Sequence, residues 1–568
     1  MKLGRYIHTF RYLRFPQVIG QVRHRLHLPP AGFAGGAGKP GPDFAGPRER
    51  LPRAVSALPP GPSLPPPDKI RAGEFTFLNR VRELGWPPRW DPPDCPRLWL
   101  YNLHYFHWLD PLDYPACRAA VSDWIRGYPP SGRAAGWEPY PVSLRLINWL
   151  RIFRGKYSGS LGEDANFRKE LEASVRFQAR WLDRRLETRL LGNHYLENAV
   201  ALAVAGNLLG GPEAERWSRR GRRILEREIN EQILPDGLHF ELSPMYHLRV
   251  TWLMLLLAAG GGGEEAKPPE GLVERMLTAL DRVTHPDGEI AQLSDSSFDI
   301  YPRPESLRRA AEGIIGRALP REGKAPGAWA LPDSGYFGFR DGEGNYLVCD
   351  AGRLGPDYIP AHGHGDIFSF ELSLRGRRVV VDSGVSGYEP GPERDYDRST
   401  RAHNTVEIEG EDQAEFWGAF RVARRGRPRD VECRFSDGEF SLEGRHDGYR
   451  RLPGTPVHHR SFRRLPGGVI EVNDRVDAGR PVRAVSRIHL HPDCRVEERG
   501  PGRVAVSHPG GRAILEFFGP GELGLERSFY SPRFGVRREN IALAYRARGS
   551  EIENGFRIVP LAPGPANG

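Results

Sequence analysis

The chain of 568 residues is 39% hydrophobic and 27% charged, which is ordinary for a globular protein and excludes a disordered or fibrous one. Its length exceeds what one ordinary core can hold and predicts two to four domains. The formal charge of +9 comes mostly from arginines spread along the chain, and no nucleic-acid-binding motif appears, so we expect an acidic sugar polymer as partner rather than nucleic acid.

The cysteines, the N-terminus and the longest apolar stretch indicate the cellular location of the protein. The five cysteines are scattered without any Cys-x-x-Cys spacing, which argues against a disulfide framework and a thiolate zinc site. Charges interrupt every apolar run of the basic N-terminus before a signal-peptide core can form. The longest apolar stretch, residues 252–259, is too short to span a bilayer. We therefore expect no transmembrane segment and a cytoplasmic location, with export by another route as the alternative.

Composition divides the chain into three parts. Residues 1–69 are a basic arm followed by a segment rich in proline and glycine, which reads as a linker. In residues 70–322 apolar residues recur at helical intervals between short loops, which predicts about eight to twelve helices in antiparallel pairs. Residues 323–568 alternate apolar and polar residues between Gly or Pro breaks, which predicts an antiparallel β-sandwich. The predicted fold class is therefore multidomain α+β.

Two motifs of the helical part carry candidate functional residues. In GNHYLENAVALAVAG, Asn193, His194 and Glu197 begin an apolar helix, where they either face a cleft or serve as an N-cap and a first-turn acid. In DGLHFELSPMYH, Ser243 and Pro244 should start a helix whose first turn carries Tyr246, which can also be an ordinary packing aromatic.

The β half contains a candidate metal site. In PAHGHGD, alternate residues of an extended strand would place His362, His364 and Asp366 on one face. An Asp and a His follow at the ends of later strands, in VVVDSG and RAHNTV. Imidazole nitrogen with carboxylate oxygen suits zinc or a similar divalent ion, so His364, Asp382 and His403 are the candidate ligands. The alternative is that these histidines only form local hydrogen bonds.

Further aromatic, polar and arginine side chains suit a cleft for an acidic sugar, because rings stack on sugars and arginine pairs with carboxylates. Each of them can equally be a core or solvated residue. The candidates are Asn102, His104, Tyr105, Tyr140, Arg145 and Arg398.

Taken in order, five motifs resemble the heparinase II/III family of polysaccharide lyases, which alginate-lyase-like proteins also resemble. The motifs are GNHYLEN, DGLHFELSPMYH, AHGHGDIFSFEL, VVVDSG and RAHNTVEIEG, and the similarity covers roughly residues 97–420. The resemblance implies an N-terminal incomplete α/α toroid followed by an antiparallel β-sandwich. It also implies β-elimination at a uronic acid.

The resemblance also assigns roles. Asn193 matches the position that neutralises the uronate carboxylate, with His194 and Glu197 assisting. Tyr246 is implied as the acid, and also as the base when both groups leave on one face, whereas His362 is the base when they leave on opposite faces. His364, Asp382 and His403 match zinc ligands, and we expect that zinc to be mainly structural.

Two other functions remain open from the sequence. A glycoside hydrolase with a helical toroid would use two carboxylates, such as Asp236 and Glu241, as acid and base. A non-catalytic polysaccharide-binding or assembly factor would keep the cleft without turnover.

Overall fold

The protein is described from a computed structural model, which defines residues 2–25, 51–61, 64–132, 134–436 and 439–561. Most of the predicted linker, residues 26–50, lies outside the described residues. Helices dominate up to Ile315 and strands follow from Gly327 onward, so the predicted order of a helical half and an antiparallel β half is confirmed.

The α-helices are α1 (Lys2–Phe10), α2 (Phe15–Arg25), α3 (Arg53–Ser56), α4 (Pro67–Arg71), α5 (Arg97–Tyr105), α6 (Tyr114–Gly127), α7 (Pro139–Arg151), α8 (Ser158–Glu163), α9 (Ala165–Asp183), α10 (Gly192–Leu208), α11 (Pro212–Gln232), α12 (Pro244–Ala258), α13 (Leu272–Arg282), α14 (Pro304–Ile315) and α15 (Pro392–Arg398). In the part of the chain that the structure describes, no helix is long and apolar enough to cross a membrane.

Helices α10 and α12 form the centre of the helical half. Both are apolar around their whole circumference and nearly all their side chains are buried, as expected of helices surrounded by other helices. Helix α10 packs against α7, α9, α11 and α12. The two motifs with candidate residues therefore begin two enclosed helices, and their first turns are held by the packed core.

The strands are β1 (Glu74–Phe77), β2 (Arg80–Glu83), β3 (Gly327–Leu331), β4 (Tyr336–Arg340), β5 (Tyr346–Asp350), β6 (Phe370–Leu374), β7 (Arg377–Val380), β8 (Val406–Ile408), β9 (Phe416–Trp417), β10 (Arg421–Val422), β11 (Pro428–Ser436), β12 (Glu439–His446), β13 (Val457–Arg464), β14 (Ile470–His489), β15 (Arg495–Glu498), β16 (Arg503–His508), β17 (Gly511–Phe518), β18 (Glu522–Arg533) and β19 (Val536–Pro560).

Two antiparallel sheets make up the β half. One has five strands in the order β3-β4-β5-β6-β7. The other has ten, in the order β11-β12-β13-β14-β19-β17-β16-β15, with β8 paired to β14 and β18 to β19. Phe370 of the first sheet packs its ring against Phe462 and Phe556 of the second, within one shared hydrophobic core. The arrangement is the predicted β-sandwich.

The outer face of the five-stranded sheet packs on the helical half. Tyr336 of β4 donates to the Leu242 carbonyl at 2.5 Å, and Tyr346 of β5 donates to the Arg282 carbonyl at 2.6 Å. At the same interface His285 is within 3.1 Å of the Glu371 carboxylate, and both side chains are fully buried. These bonds fix the position of one half relative to the other, which matters because the candidate residues come from both.

The basic N-terminal arm is more ordered than its composition predicts. It forms α1 and α2, which lie against the β half and the helical half. Trp417 Nε1 donates to the Thr9 hydroxyl at 3.1 Å, and the Gln17 amide donates to the Tyr358 carbonyl at 3.1 Å. The sequence did not indicate these helices because their contacts come from residues hundreds of positions away.

Truncation of a central side chain of α10 tests this account of the core. Leu202 is fully buried, so Leu202→Ala should leave a cavity and lower the free energy of unfolding of the helical half by about 2–5 kcal/mol. Urea unfolding followed by circular dichroism measures the change. Leu525→Ala is the matched control, because Leu525 is 45% exposed and its loss should change stability by less than about 0.5 kcal/mol. Equal effects of the two variants would contradict the described packing.

Candidate active site

A cleft of about 950 Å³ opens where the two halves meet. Its wall includes Asn193, His194 and Tyr246 from the helical half and His362 from the β half. Arginines outnumber acids along it: the arginines are Arg97, Arg151, Arg189, Arg249, Arg421 and Arg425, and the acids are Asp357 and Glu389. The cleft therefore favours an anionic ligand.

A buried carboxylate, Asp295, lies at the base of this cleft and joins several candidate residues. His362 Nδ1 donates to Asp295 Oδ2 at 2.8 Å, and His364 Nε2 donates to Asp295 Oδ1 at 2.9 Å. Arg394 of α15 binds both carboxylate oxygens, with Nη2 at 2.8 Å from Oδ2. Burial alone would raise the pKa of Asp295, but Arg394 and the two histidines hold it well below its usual range.

The histidine segment is a loop rather than the predicted strand. Residues 361–367 make turns, so His362 and His364 share an acceptor at Asp295 instead of projecting from one strand face. Gly363 is needed here because a Cβ would lie 2.2 Å from the Leu354 carbonyl oxygen. With Nδ1 committed to Asp295, Nε2 is the ring nitrogen left for proton transfer, and it lies 3.3 Å from Glu241 Oε2.

Tyr246 belongs to the first turn of α12 and lies beside His362. Ser243 caps α12 as predicted, accepting from the Tyr246 backbone N–H at 3.3 Å, and its hydroxyl donates to the Asp295 carbonyl at 2.6 Å. The Tyr246 and His362 rings are 4.0 Å apart, and the Tyr246 hydroxyl is 3.1 Å from that of Tyr388. Burial, with Tyr388 nearby, raises the pKa of Tyr246 well above its ordinary value, so the phenol stays protonated at neutral pH.

Asn193 is held by Glu241 and does not cap α10. Its backbone N–H and its Nδ2 donate to the two oxygens of Glu241 at 2.8 and 2.9 Å. Gly192 permits this approach, because it has φ +58° and a Cβ there would lie 2.5 Å from Glu241 Oε1. Asn193 Oδ1 has no donor among the residues that the structure describes. The amide therefore offers a buried acceptor at the cleft wall.

His194 lies next to Asn193 and can carry a positive charge. Its Nδ1 is 3.1 Å from Glu187 Oε1, and its ring lies 4.3 Å from that of Tyr140. Burial opposes protonation, but the Glu187 carboxylate outweighs it and raises the pKa of His194. An imidazolium at this place can pair with a carboxylate in the cleft.

Glu197 contacts the cleft only through Arg249. It is almost fully buried and accepts from Arg249 Nη2 at 2.5 Å and Nε at 3.0 Å. Arg249 lines the cleft, so the expected role of Glu197 as a direct ligand is replaced by that of holding a cation in position. Arg249 follows Tyr246 by three positions on α12, and this helical spacing is a signal by which sequence reasoning could have found it.

The candidate metal cluster contains Asp366 in the place expected for Asp382. Ligand atoms of His364, Asp366 and His403 all lie within 4.8 Å of one another, and the three residues are buried. Asp382 is one step away, where its Oδ2 accepts from His403 Nδ1 at 2.7 Å. A carboxylate in that position orients a ligating imidazole from behind, and the structure thus differs from the predicted ligand set in one residue.

The cluster fits a divalent cation. His364 Nδ1 and His403 Nε2 are buried and have no hydrogen-bond partner within the described ranges, which is unusual for such atoms. Burial lowers the pKa of His364 to about 4, so its imidazole is neutral, as a metal ligand must be. Burial opposes a charge on His403, but Asp382 raises the pKa of His403 to about 9, so a bound cation would replace a proton there.

Of the other side chains predicted to contact the substrate, some line the cleft and others lie in the core. Asn102, Tyr105 and Tyr140 line the cleft. His104 is instead fully buried, accepts from Trp124 Nε1 at 3.2 Å and stacks on Tyr128. The two outcomes differ because a polar residue in an aromatic-rich segment can find its hydrogen-bond partner inside the core as well as in a cleft.

Both candidate arginines are also internal. Arg145 lies 4.1 Å from the Trp124 ring and donates to the Gly136 carbonyl at 2.7 Å. Arg398 is buried and donates to the carbonyls of Gly363 and Ala419 at 3.2 and 3.1 Å, so it supports the histidine loop without reaching the cleft.

The two carboxylates considered for hydrolysis do not face the cleft together. Asp236 accepts from the backbone N–H and hydroxyl of Ser334 at 2.7 and 2.9 Å, and neither it nor Glu241 lines the cleft. The pair thus lacks the arrangement of an acid and a base on either side of one bond.

Comparisons with known proteins agree with this architecture. Residues 117–304 match the family profile described as Heparinase II/III N-terminus, and residues 323–558 match that described as Heparinase II/III-like, C-terminal. The crystal structure of a heparinase III has a TM-score of 0.72 over 93% of this chain and 88% of its own, at 17% identity, which shows a common fold.

Two curated relatives differ in coverage. A heparin-sulfate lyase of Pedobacter heparinus is 29% identical over 382 residues, 59% of this chain, and the chain spans 55% of that protein. FtsZ-localized protein C of Caulobacter vibrioides is 25% identical over 474 residues, 78% of this chain and 79% of that protein. The two family profiles together cover most of both structural halves, and the chain belongs to the heparinase II/III-like family.

Proposed function

We propose that the protein is a polysaccharide lyase that cleaves a uronate-containing glycan by β-elimination. The observation that carries this proposal is that Asn193 and Tyr246 of the helical half and His362 of the β half line one cleft. The arginines of the cleft suit an acidic sugar chain, and a related protein is named a heparin-sulfate lyase.

The first requirement of the reaction is to neutralise the uronate carboxylate. Removal of the C5 proton places additional negative charge on that group, and preorganised polar groups stabilise it as in an oxyanion hole. His194 pairs with the carboxylate as an imidazolium and transfers its proton to a carboxylate oxygen as the charge develops, and the O–H so formed donates to Asn193 Oδ1. Glu241 holds the amide in this orientation through Nδ2.

The second requirement is an acid and a base at C5 and O4 of the sugar. His362 takes the C5 proton at Nε2, and Asp295 stabilises the imidazolium that forms. Tyr246 stays protonated at neutral pH and donates its proton to the departing O4. The base and the acid are neighbouring residues whose rings lie 4.0 Å apart, so both can reach the same sugar ring.

We further propose that His364, Asp366 and His403 hold zinc. Two imidazole nitrogens with one carboxylate suit this ion, which when bound would fix two chain segments together. His364 is two residues from His362, and both donate to Asp295. A metal that fixes His364 would therefore also help to fix His362, the proposed base.

The direct test is incubation of the purified protein with a panel of uronate glycans that includes heparan sulfate. A lyase leaves a conjugated C4–C5 double bond at the new end, which absorbs ultraviolet light, and absorbance should rise with at least one glycan. Saturated ends would instead indicate a hydrolase. Unchanged polymer with measurable binding would indicate the non-catalytic alternative.

Separate roles for the neighbouring histidines give a second prediction. His362→Ala should lower turnover by about 10²–10⁴-fold because the base is lost, while metal content and thermal stability stay near those of the unmodified protein. His364→Ala should lower metal content and the melting temperature as well as turnover. Elemental analysis, thermal unfolding and the absorbance assay measure these effects, and equal metal loss in the two variants would contradict the division.

A further inference from the structure

The N-terminal helices α1 and α2 expose an unusual amount of apolar surface. Of the twelve large hydrophobic side chains that are exposed in the described part of the chain, seven lie between residues 6 and 22. They are Tyr6, Ile7, Phe10, Phe15, Val18, Ile19 and Val22. Such clustering on a protein surface marks an interaction site, whereas single exposed hydrophobic residues are ordinary.

The seven side chains form one stripe on each helix. On α1 the exposed positions 6, 7 and 10 lie within one arc of the helix, as do positions 15, 18, 19 and 22 on α2. We call this surface the apolar stripe. It is the pattern of an amphipathic helix pair whose apolar side faces outward.

The opposite side of each helix is anchored to the body of the protein. On α1 the Thr9 hydroxyl accepts from Trp417 Nε1 at 3.1 Å, and Arg5 Nε is 3.6 Å from Glu415 Oε1. Between the helices Arg14 is 2.5 Å from Glu231 Oε1. Gly20 packs so closely that a Cβ would lie 2.9 Å from the Arg189 Cα. The helices are therefore fixed by their polar side, and their apolar side is not free to turn inward.

The segment that carries the apolar stripe is also positively charged. Residues 1–25 contain six Lys or Arg residues and no Asp or Glu. A helix pair with an apolar face and only positive charges has the composition of segments that lie in the interface of an anionic bilayer. A protein partner of ordinary surface composition would not require this one-sided charge.

The stripe also continues into the cleft. Tyr6, Phe10, Val18 and Val22 line the cleft wall, whereas Ile7, Phe15 and Ile19 do not and remain free to contact a surface outside it. A surface that contacts the stripe would thus lie at the mouth of the cleft that holds the candidate catalytic residues.

We propose that α1 and α2 bind the surface of an anionic lipid bilayer and place the cleft mouth at that surface. The apolar stripe inserts among the acyl chains near the headgroups, and the net positive charge of the segment attracts it to the anionic surface. The cleft then receives saccharide held at the membrane. This binding is independent of turnover, so the failure of either proposal is visible without the other.

Co-sedimentation with vesicles tests the proposal. The full chain should bind vesicles of phosphatidylglycerol and phosphatidylcholine, bind vesicles of phosphatidylcholine alone more weakly, and lose affinity as salt increases. The triple variant Ile7→Glu, Phe15→Glu, Ile19→Glu should bind the anionic vesicles at least about 10-fold more weakly. These three residues are 58%, 77% and 40% exposed, so the melting temperature should stay unchanged.

The matched control adds the same charge elsewhere. Val81→Glu, Phe435→Glu, Leu525→Glu replaces three other exposed hydrophobic residues and should bind like the unmodified chain. The proposal is overturned if the unmodified chain does not bind anionic vesicles, or if the two triple variants bind equally. It is also overturned if light scattering shows that the stripe joins two copies of the chain and neither form binds vesicles.

Discussion

The candidate site depends on the hydrogen bonds and the ion pair that the buried Asp295 carboxylate makes. It accepts from His362 and His364 and is paired with Arg394 on both oxygens, while its carbonyl accepts from the Ser243 hydroxyl that caps α12. An unpaired charge at this depth would be very costly, and Arg394 together with the two histidines offsets that cost. One residue thus fixes the candidate base, a metal-cluster histidine and the helix that carries the candidate acid.

This dependence explains why the cleft needs two structural halves. The helical half supplies Asn193 and Tyr246 from the first turns of enclosed helices, whose positions are set by packing. The β half supplies His362 from a loop, which has no such support of its own. Asp295, from the segment between α13 and α14, and Arg394, from α15, give that loop its fixed place. Chemistry that requires both kinds of residue is therefore tied to the interface between the halves.

The order of a helical half and an antiparallel β half followed from sequence periodicity, because helices and strands have different repeats of apolar residues. The start of α12 also followed from the Ser-Pro pair. The histidine loop did not, because His-Gly-His-Gly alternation resembles a strand and the bonds that bend it come from Asp295, a residue in no recognisable motif. His104, Arg145 and Arg398 are internal for a related reason: sequence indicates polarity but not which partners satisfy it. The ordered arm was missed because the contacts that anchor it, such as those of Thr9 and Gln17, come from distant segments.

The role of Asp295 is tested most directly by Asp295→Asn. This substitution keeps the shape of the side chain, but it replaces one hydrogen-bond acceptor with a donor and removes the negative charge that pairs with Arg394. The measurement is turnover together with metal content, on protein whose circular dichroism matches that of the unmodified chain. We predict that turnover falls by at least about 10²-fold and that metal affinity falls by about 10–100-fold in the same variant. Full turnover with unchanged metal content would contradict the view that this carboxylate holds the site together.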